Sequence, residues 1–384
     1  MGGRWEKDLE RWLQRGVIDA ATAERIRSFE SSRDRGRGLH WPVLLAVAFG
    51  ALLLCAGVLL FVAAHWDSLS PAGRFSLTLA MVALFHLAAA FSAERFPPLS
   101  SALHAVGTVS LGAGIFLAAQ IFHLQEHWPG GVMLWALGAW GAWALLRDWP
   151  QAALAAILTP VWLAGEWTEA TRGWHGGDKV LAEGLLLLAT TYLTALLPGR
   201  ESSVRRSLAW IGGLTLLPLA AATVFSDTYQ RGTQLVPPAY LVAGWGAALA
   251  LPLAVSLVLR GRSAWMNVVA AAWVLLLGST SFERHRVVAG SLAGRFWDEA
   301  GFYLASAAGS IALIAWGLRE VRRERINLGI AGFALTVLAF YFSTVMDKLG
   351  RSASLTGLGL LFLLGGWLLE KTRRRLVESL ERGN

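Results

Sequence analysis

The sequence returns again and again to apolar runs of about 20 residues with at most one charge, the length a helix needs to cross roughly 30 Å of hydrocarbon. Twelve such runs can be marked: 42–64, 74–93, 101–123, 129–146, 150–167, 180–198, 207–225, 238–259, 263–281, 299–318, 325–345 and 353–369. None alternates with the two-residue period of barrel strands. The expected fold is therefore all-α: a polytopic transmembrane bundle of about 12 helices behind a small N-terminal cytoplasmic helical hairpin. Composition agrees, with 55% hydrophobic residues, 16% charged residues and a mean hydropathy of +0.49. An ordinary soluble domain carries about 25% charge. A disordered or fibrous chain is excluded by the same values. The first 40 residues are polar and rich in both charges, so no cleavable signal peptide is expected. The lone cysteine, Cys55, permits no internal disulfide.

Charge orients the runs. With the N-terminus in the cytoplasm, 25 Lys and Arg fall in cytoplasmic pieces and 9 in external loops. The bias predicts both termini inside. The resulting division is a cytoplasmic helical hairpin (1–36), a first transmembrane half of six helices with an external polar cluster (37–198), a second half of six (199–370) and a basic cytoplasmic tail (371–384). In the hairpin, Trp5, Leu9, Trp12 and Leu13 share one face, Gly16 breaks the pattern, and Asp19 is placed to cap a second helix. This arm is a docking element for a cytoplasmic partner or a second copy, or else a topology anchor on the lipid bilayer. Two short helices do not make a DNA-reading unit, and no nucleic-acid partner is expected.

Polar residues inside a bilayer are costly, so their positions carry information. They gather at the external ends of the first six runs. His65 and Asp67 follow the first, Gln120, His123, Glu126 and His127 end the third, and Glu166 ends the fifth; Glu183 lies one turn inside the sixth. The last six runs show nothing comparable. His123-Leu124-Gln125-Glu126-His127 matches the H-x-x-E-H pattern, whose two histidines share one helical face and can hold a divalent metal, with Glu126 as base. The string ends at the membrane surface, with no soluble domain to bury it. Capping of a loop is the favoured reading, and no cofactor is expected. Deeper in the bilayer, His86 and His104 sit on adjacent antiparallel runs, where an interhelical hydrogen bond is the favoured reading and a proton relay or a substrate contact the alternative.

Several stretches together resemble a family of bacterial multi-pass membrane proteins known as domain of unknown function 2157. They are Phe61-Val62-Ala63-Ala64-His65-Trp66-Asp67, Leu103-His104-Ala105-Val106-Gly107-Thr108, Gln120-Ile121-Phe122-His123, His127-Trp128-Pro129 and Arg147-Asp148-Trp149-Pro150, with Gly16-Val17-Ile18-Asp19 before them. The resemblance covers about residues 1–170. It implies a bacterial cytoplasmic (inner) membrane location and brings no activity, substrate or catalytic residue with it. Three functions compete. A secondary transporter or permease-like protein for a small or envelope-related solute ranks first. A scaffold or sensor using the cytoplasmic hairpin is the alternative. An outer-leaflet enzyme acting on a lipid-linked substrate through the His/Asp/Glu cluster is the third, and the sequence leans away from it.

Overall fold

Backbone that leaves water must satisfy its own N–H and C=O groups, and this chain does so by coiling into helices. The computed structural model describes residues 9–36 (10 excepted), 70–121, 127–225 (198 excepted), 234–283 and 292–342, with single helical positions at 49, 50, 53, 57, 60 and 367. Among the described residues the fold is all-α. Its helices are α1 (Ala20–Gly36), α2 (Pro71–Ser92), α3 (Pro97–Ile121), α4 (Trp128–Leu146), α5 (Trp149–Ala170), α6 (Gly177–Leu193), α7 (Ser203–Phe225), α8 (Pro238–Arg260), α9 (Trp265–Glu283), α10 (Leu292–Arg319) and α11 (Arg323–Phe340). Two short strands, β1 (Trp174–His175) and β2 (Gln234–Leu235), pair in parallel.

Helices α2 to α11 fall where the second to eleventh runs were expected. Of the first run (42–64) and the twelfth (353–369) only the single positions named above are described, each helical, and the basic tail lies outside the described residues. Among the described residues five stretches are long and apolar enough to cross a membrane: Pro71–Ser92, Pro97–Gln120, Trp128–Leu146, Pro238–Ser279 and Gly301–Arg319. The fourth of these is a hairpin. Gly261, at φ +58°, opens a 3-10 turn that separates α8 from α9. Along α6, Gly184 meets Ala248 and Thr194 meets Arg260, so α8 runs parallel to α6. Asn267 reaches Thr194 while Gly278 lies against Glu183, so α9 runs back.

The chain packs as two compact units, Met1–Ser110 and Leu111–Asn384. In the first, Val17 N–H bonds Trp12 C=O (3.0 Å) across Gly16, whose φ is +67°. Asp19 then caps α1 by accepting from Thr22 N–H (3.1 Å), and hydrogen bonding from the Thr22 side chain and backbone holds its carboxyl below the usual carboxylate value. Ser70 caps α2 (3.2 Å), with Pro71 at the first helical position. Ser100 Oγ donates to Ala89 C=O (2.8 Å) and joins α2 to α3.

The second unit is built around α6. Twelve of its 17 residues are buried, and Leu186, Leu187 and Leu193 pack with Val274, Leu277 and Ala305. The most apolar helices are instead the most exposed: Leu145 and Val258 are 85% and 84% exposed, and in the first unit Phe91 reaches 86%. Such faces suit lipid and not water. α6, only 17 residues long and carrying Asp178, Lys179 and Glu183, is not among the five apolar stretches, and most of its residues are buried in protein. Arg147, in the left-handed region at φ +54°, ends α4, and Asp148 caps α5 (3.4 Å), making a tight α4–α5 hairpin in the short gap between the fourth and fifth runs. Pro160, Pro218 and Pro252 lie inside α5, α7 and α8 without ending them.

Candidate functional site

Within the first unit the structure brings His86 and His104 together. Their Nδ1 atoms are 2.9 Å apart and the ring centroids 5.2 Å apart. Gly107 makes the room, since a Cβ there would lie 2.8 Å from His86 Nε2. Of two facing ring nitrogens, one must donate and the other accept. The pair therefore holds a single proton between its rings, and a second would turn the contact repulsive.

The outer cluster is only partly brought together. His127, which precedes α4, contacts Glu166 of α5 through Nε2 at 2.6 Å. Trp162 Nε1 donates to the other Glu166 oxygen (2.9 Å). Beside it, Trp128 Nε1 donates to Glu169 (2.9 Å), which Arg172 also reaches (2.7 Å). Gly165 accommodates the Trp128 ring. Gln120 is exposed near the end of α3. Glu183 takes a different place: fully buried, it faces Gly278 of α9, with Lys179 Nζ 3.9 Å away. His65, Asp67, His123 and Glu126 lie outside the described residues. Among the described residues no group of three or more His, Cys, Asp or Glu is disposed to hold a metal ion.

A second polar gathering, which the sequence reading missed, closes the other end of α6. The last carbonyls of a helix have no partner within it and carry its partial negative charge. Here three arginines from three helices gather at that end, on the carbonyls of the C-cap Thr194 and of the two residues after it. Arg260 of α8 donates to Thr194 C=O, Arg205 of α7 to Ala195 C=O (2.7 Å) and Arg325 of α11 to Leu196 C=O (2.9 Å). Arg260 and Arg325, both almost completely buried, also grip Glu320 in the turn between α10 and α11. Trp316 Nε1 donates to Glu320 (2.7 Å), and both guanidinium groups lie over the Trp316 ring, at 5.2 and 5.6 Å from its centroid. Burial pushes the Glu320 carboxyl up. The bonds from Arg260, Arg325 and Trp316 and the Arg325 charge outweigh that and hold it below the usual carboxylate value. One turn deeper, Asn267 donates to Thr194 Oγ1 (3.1 Å) and Thr191 Oγ1 (3.4 Å). Only the density of charge at the run ends hinted at this, and charge there reads equally well as topology.

Beside this arginine clasp lies an elongated cavity of about 870 Å³ between α6, α7, α9, α10 and α11. Its walls are mainly apolar, including Leu217, Val269, Trp273 and Leu335, with Ser306, Ser310 and Thr336 among them. Along α10 it extends from Phe302 to Arg319, about 25 Å at 1.5 Å per residue. At its arginine end the Arg319 guanidinium lies over the Trp265 ring, 5.5 Å from the centroid.

Comparison with known proteins agrees with the membrane reading. Residues 10–152 match the family described as predicted membrane protein (DUF2157), the family whose resemblance the sequence carries. No curated protein and no solved structure matches the chain.

Proposed function

We propose that this multi-pass membrane protein is a secondary transporter, or permease-like, for an amphiphilic envelope-related solute. In this reading it has twelve helices and sits in the bacterial cytoplasmic membrane with both termini inside. The observation that carries the reading is the cavity among α7, α9, α10 and α11. It is long, mainly apolar and lined at one end by arginine and tryptophan, the form a site for a hydrocarbon-tailed solute requires. The His86–His104 pair supplies a group within the apolar segments that can take up and release a proton, as coupling to a proton gradient would need.

The test is reconstitution into vesicles holding a fluorescent phospholipid that external dithionite bleaches. Vesicles with protein are expected to lose protected label faster than protein-free vesicles. His86→Ala and His104→Ala should slow that loss at equal incorporation. Identical traces with and without protein overturn the reading.

One observation favours a scaffold as second reading: Trp12, Leu13 and Val17 are exposed near the N-terminus. If the arm is an output element, deleting residues 1–36 removes function while the vesicle assay is unchanged.

A further inference from the structure

We infer that the arginine end of the cavity is a site for an anionic phospholipid, with the phosphate at Arg319 and Arg262 and one acyl chain in the cavity. The inference rests on the reading above and names the ligand class of that same site. Charge accounting supports it. Glu320 is held by Arg260 and Arg325, and Glu201 pairs with Arg322 (2.8 Å) and lies 4.0 Å from Arg206. Arg319 and Arg262 are exposed and make no ion pair among the described residues. Arg319 opens directly onto the cavity and lies over Trp265, itself 53% exposed. Arg262 stands three residues before that tryptophan, in the turn between α8 and α9.

An exposed tryptophan beside unpaired guanidinium groups is the combination found at head-group depth. A guanidinium offers a phosphate two parallel hydrogen bonds. From that point the cavity follows α10 inward for about 25 Å, most of the roughly 30 Å hydrocarbon thickness. A free inorganic phosphate would use the arginines and leave the apolar length empty. A neutral lipid would fill the length and leave the arginines unmatched. An anionic phospholipid satisfies both.

The experiment is native mass spectrometry of the full chain in mild detergent, with equal amounts of dioleoyl phosphatidylglycerol and dioleoyl phosphatidylcholine. The wild type is expected to retain the anionic lipid several-fold better. Each arginine near a membrane surface contributes about 1 kcal/mol to anionic-lipid binding, so Arg319→Gln and Arg262→Gln should each cut retention on the order of fivefold. Ser306→Phe, which fills the cavity but leaves the arginines, should cut retention of both lipids. Inorganic phosphate alone should give no adduct. A thermal melt of each variant matching the wild type shows that the fold is intact. Equal retention of the two lipids, or retention unchanged in an Arg262/Arg319 double variant, overturns the site. Arginine-dependent retention without lipid movement in vesicles upholds the site and overturns transport. Lipid movement with arginine-independent retention does the reverse.

Discussion

Glu320 is the residue on which the arginine clasp turns, because it is the acid shared by two arginines almost wholly out of solvent. Removing one partner of a buried ion pair leaves a charge without compensation, at about 3–5 kcal/mol. Glu320→Gln is therefore expected to lower the detergent-phase melting temperature by many degrees, whereas Glu324→Gln, at an exposed position one turn along, should not. The pH dependence follows from the direction of the carboxyl shift. A carboxylate depressed in the folded state contributes stability that is complete above its unfolded value, about 4.3. That contribution drains away as pH falls through the lower folded value. Melting temperature should thus be level from pH 7 to about 5 on this account and fall below that, and the acid limb should be shallower in Glu320→Gln. Gln151 at the start of α5 presents the opposite case. It is fully buried, and neither of its amide atoms has a hydrogen-bond partner among the described residues. An orphaned buried polar group costs about 1–3 kcal/mol, so Gln151→Met should be neutral or raise the melting temperature. A fall would reveal a water or ligand bound to the amide.

At the scale of elements, the helices were legible because a bilayer demands one thing of every span, about 20 residues of apolar side chain. The α4–α5 hairpin was legible for the same reason, Arg147, Asp148 and Trp149 being the only gap between two apolar runs. What brings helices together was not legible. Arg260 and Glu320 are 60 residues apart in sequence, and each reads alone as a charge at a run end. Glu183 was grouped with His127 and Glu166 because all three lie toward the same end of their runs; rotation about the helix axis, which decides what a side chain meets, instead turns it to Gly278. Small residues decide such rotations by allowing backbones to approach. Gly212 of α7 lies directly on the backbone of α6 at Ala189 and Leu193, and a Cβ there would collide with it. A Cβ on Gly246 of α8 would meet nothing from the other helices within 4 Å. Gly212→Ala is expected to destabilise by about 1–3 kcal/mol through forced separation of α6 and α7. Gly246→Ala should be neutral or slightly stabilising, because alanine is the better helix former by up to about 1 kcal/mol. Equal melting temperatures for the two variants would mean that α6 and α7 are not in this contact.

For the molecule as a whole, the contacts of the second unit sort its turns between two ends before any membrane is considered. Arg260 joins Glu320, Arg322 joins Glu201, and Tyr192 near the end of α6 donates to Ala156 in the first half of α5. The turns 147–148, 199–202, 260–262 and 319–322 therefore share one end. The pairing of β1 with β2 places 174–175 and 234–235 together at the other. The stretches 147–148, 199–206, 260–262 and 319–325 hold ten arginines and four acids. Arginine excess marks the side that stays in the cytoplasm. An alkaline phosphatase fused after residue 147, 261 or 321 should consequently be inactive, because that enzyme matures only after export. The same reporter after residue 173 or 235 should be active. The sorting by contacts and the sorting by charge are independent, so the five fusions test them separately. A single fusion out of step, with the other four as expected, would mean that one turn has been assigned to the wrong end. Reversal of all five would keep the packing and invert the molecule in the membrane, placing Arg319 and the mouth of the cavity at the outer leaflet.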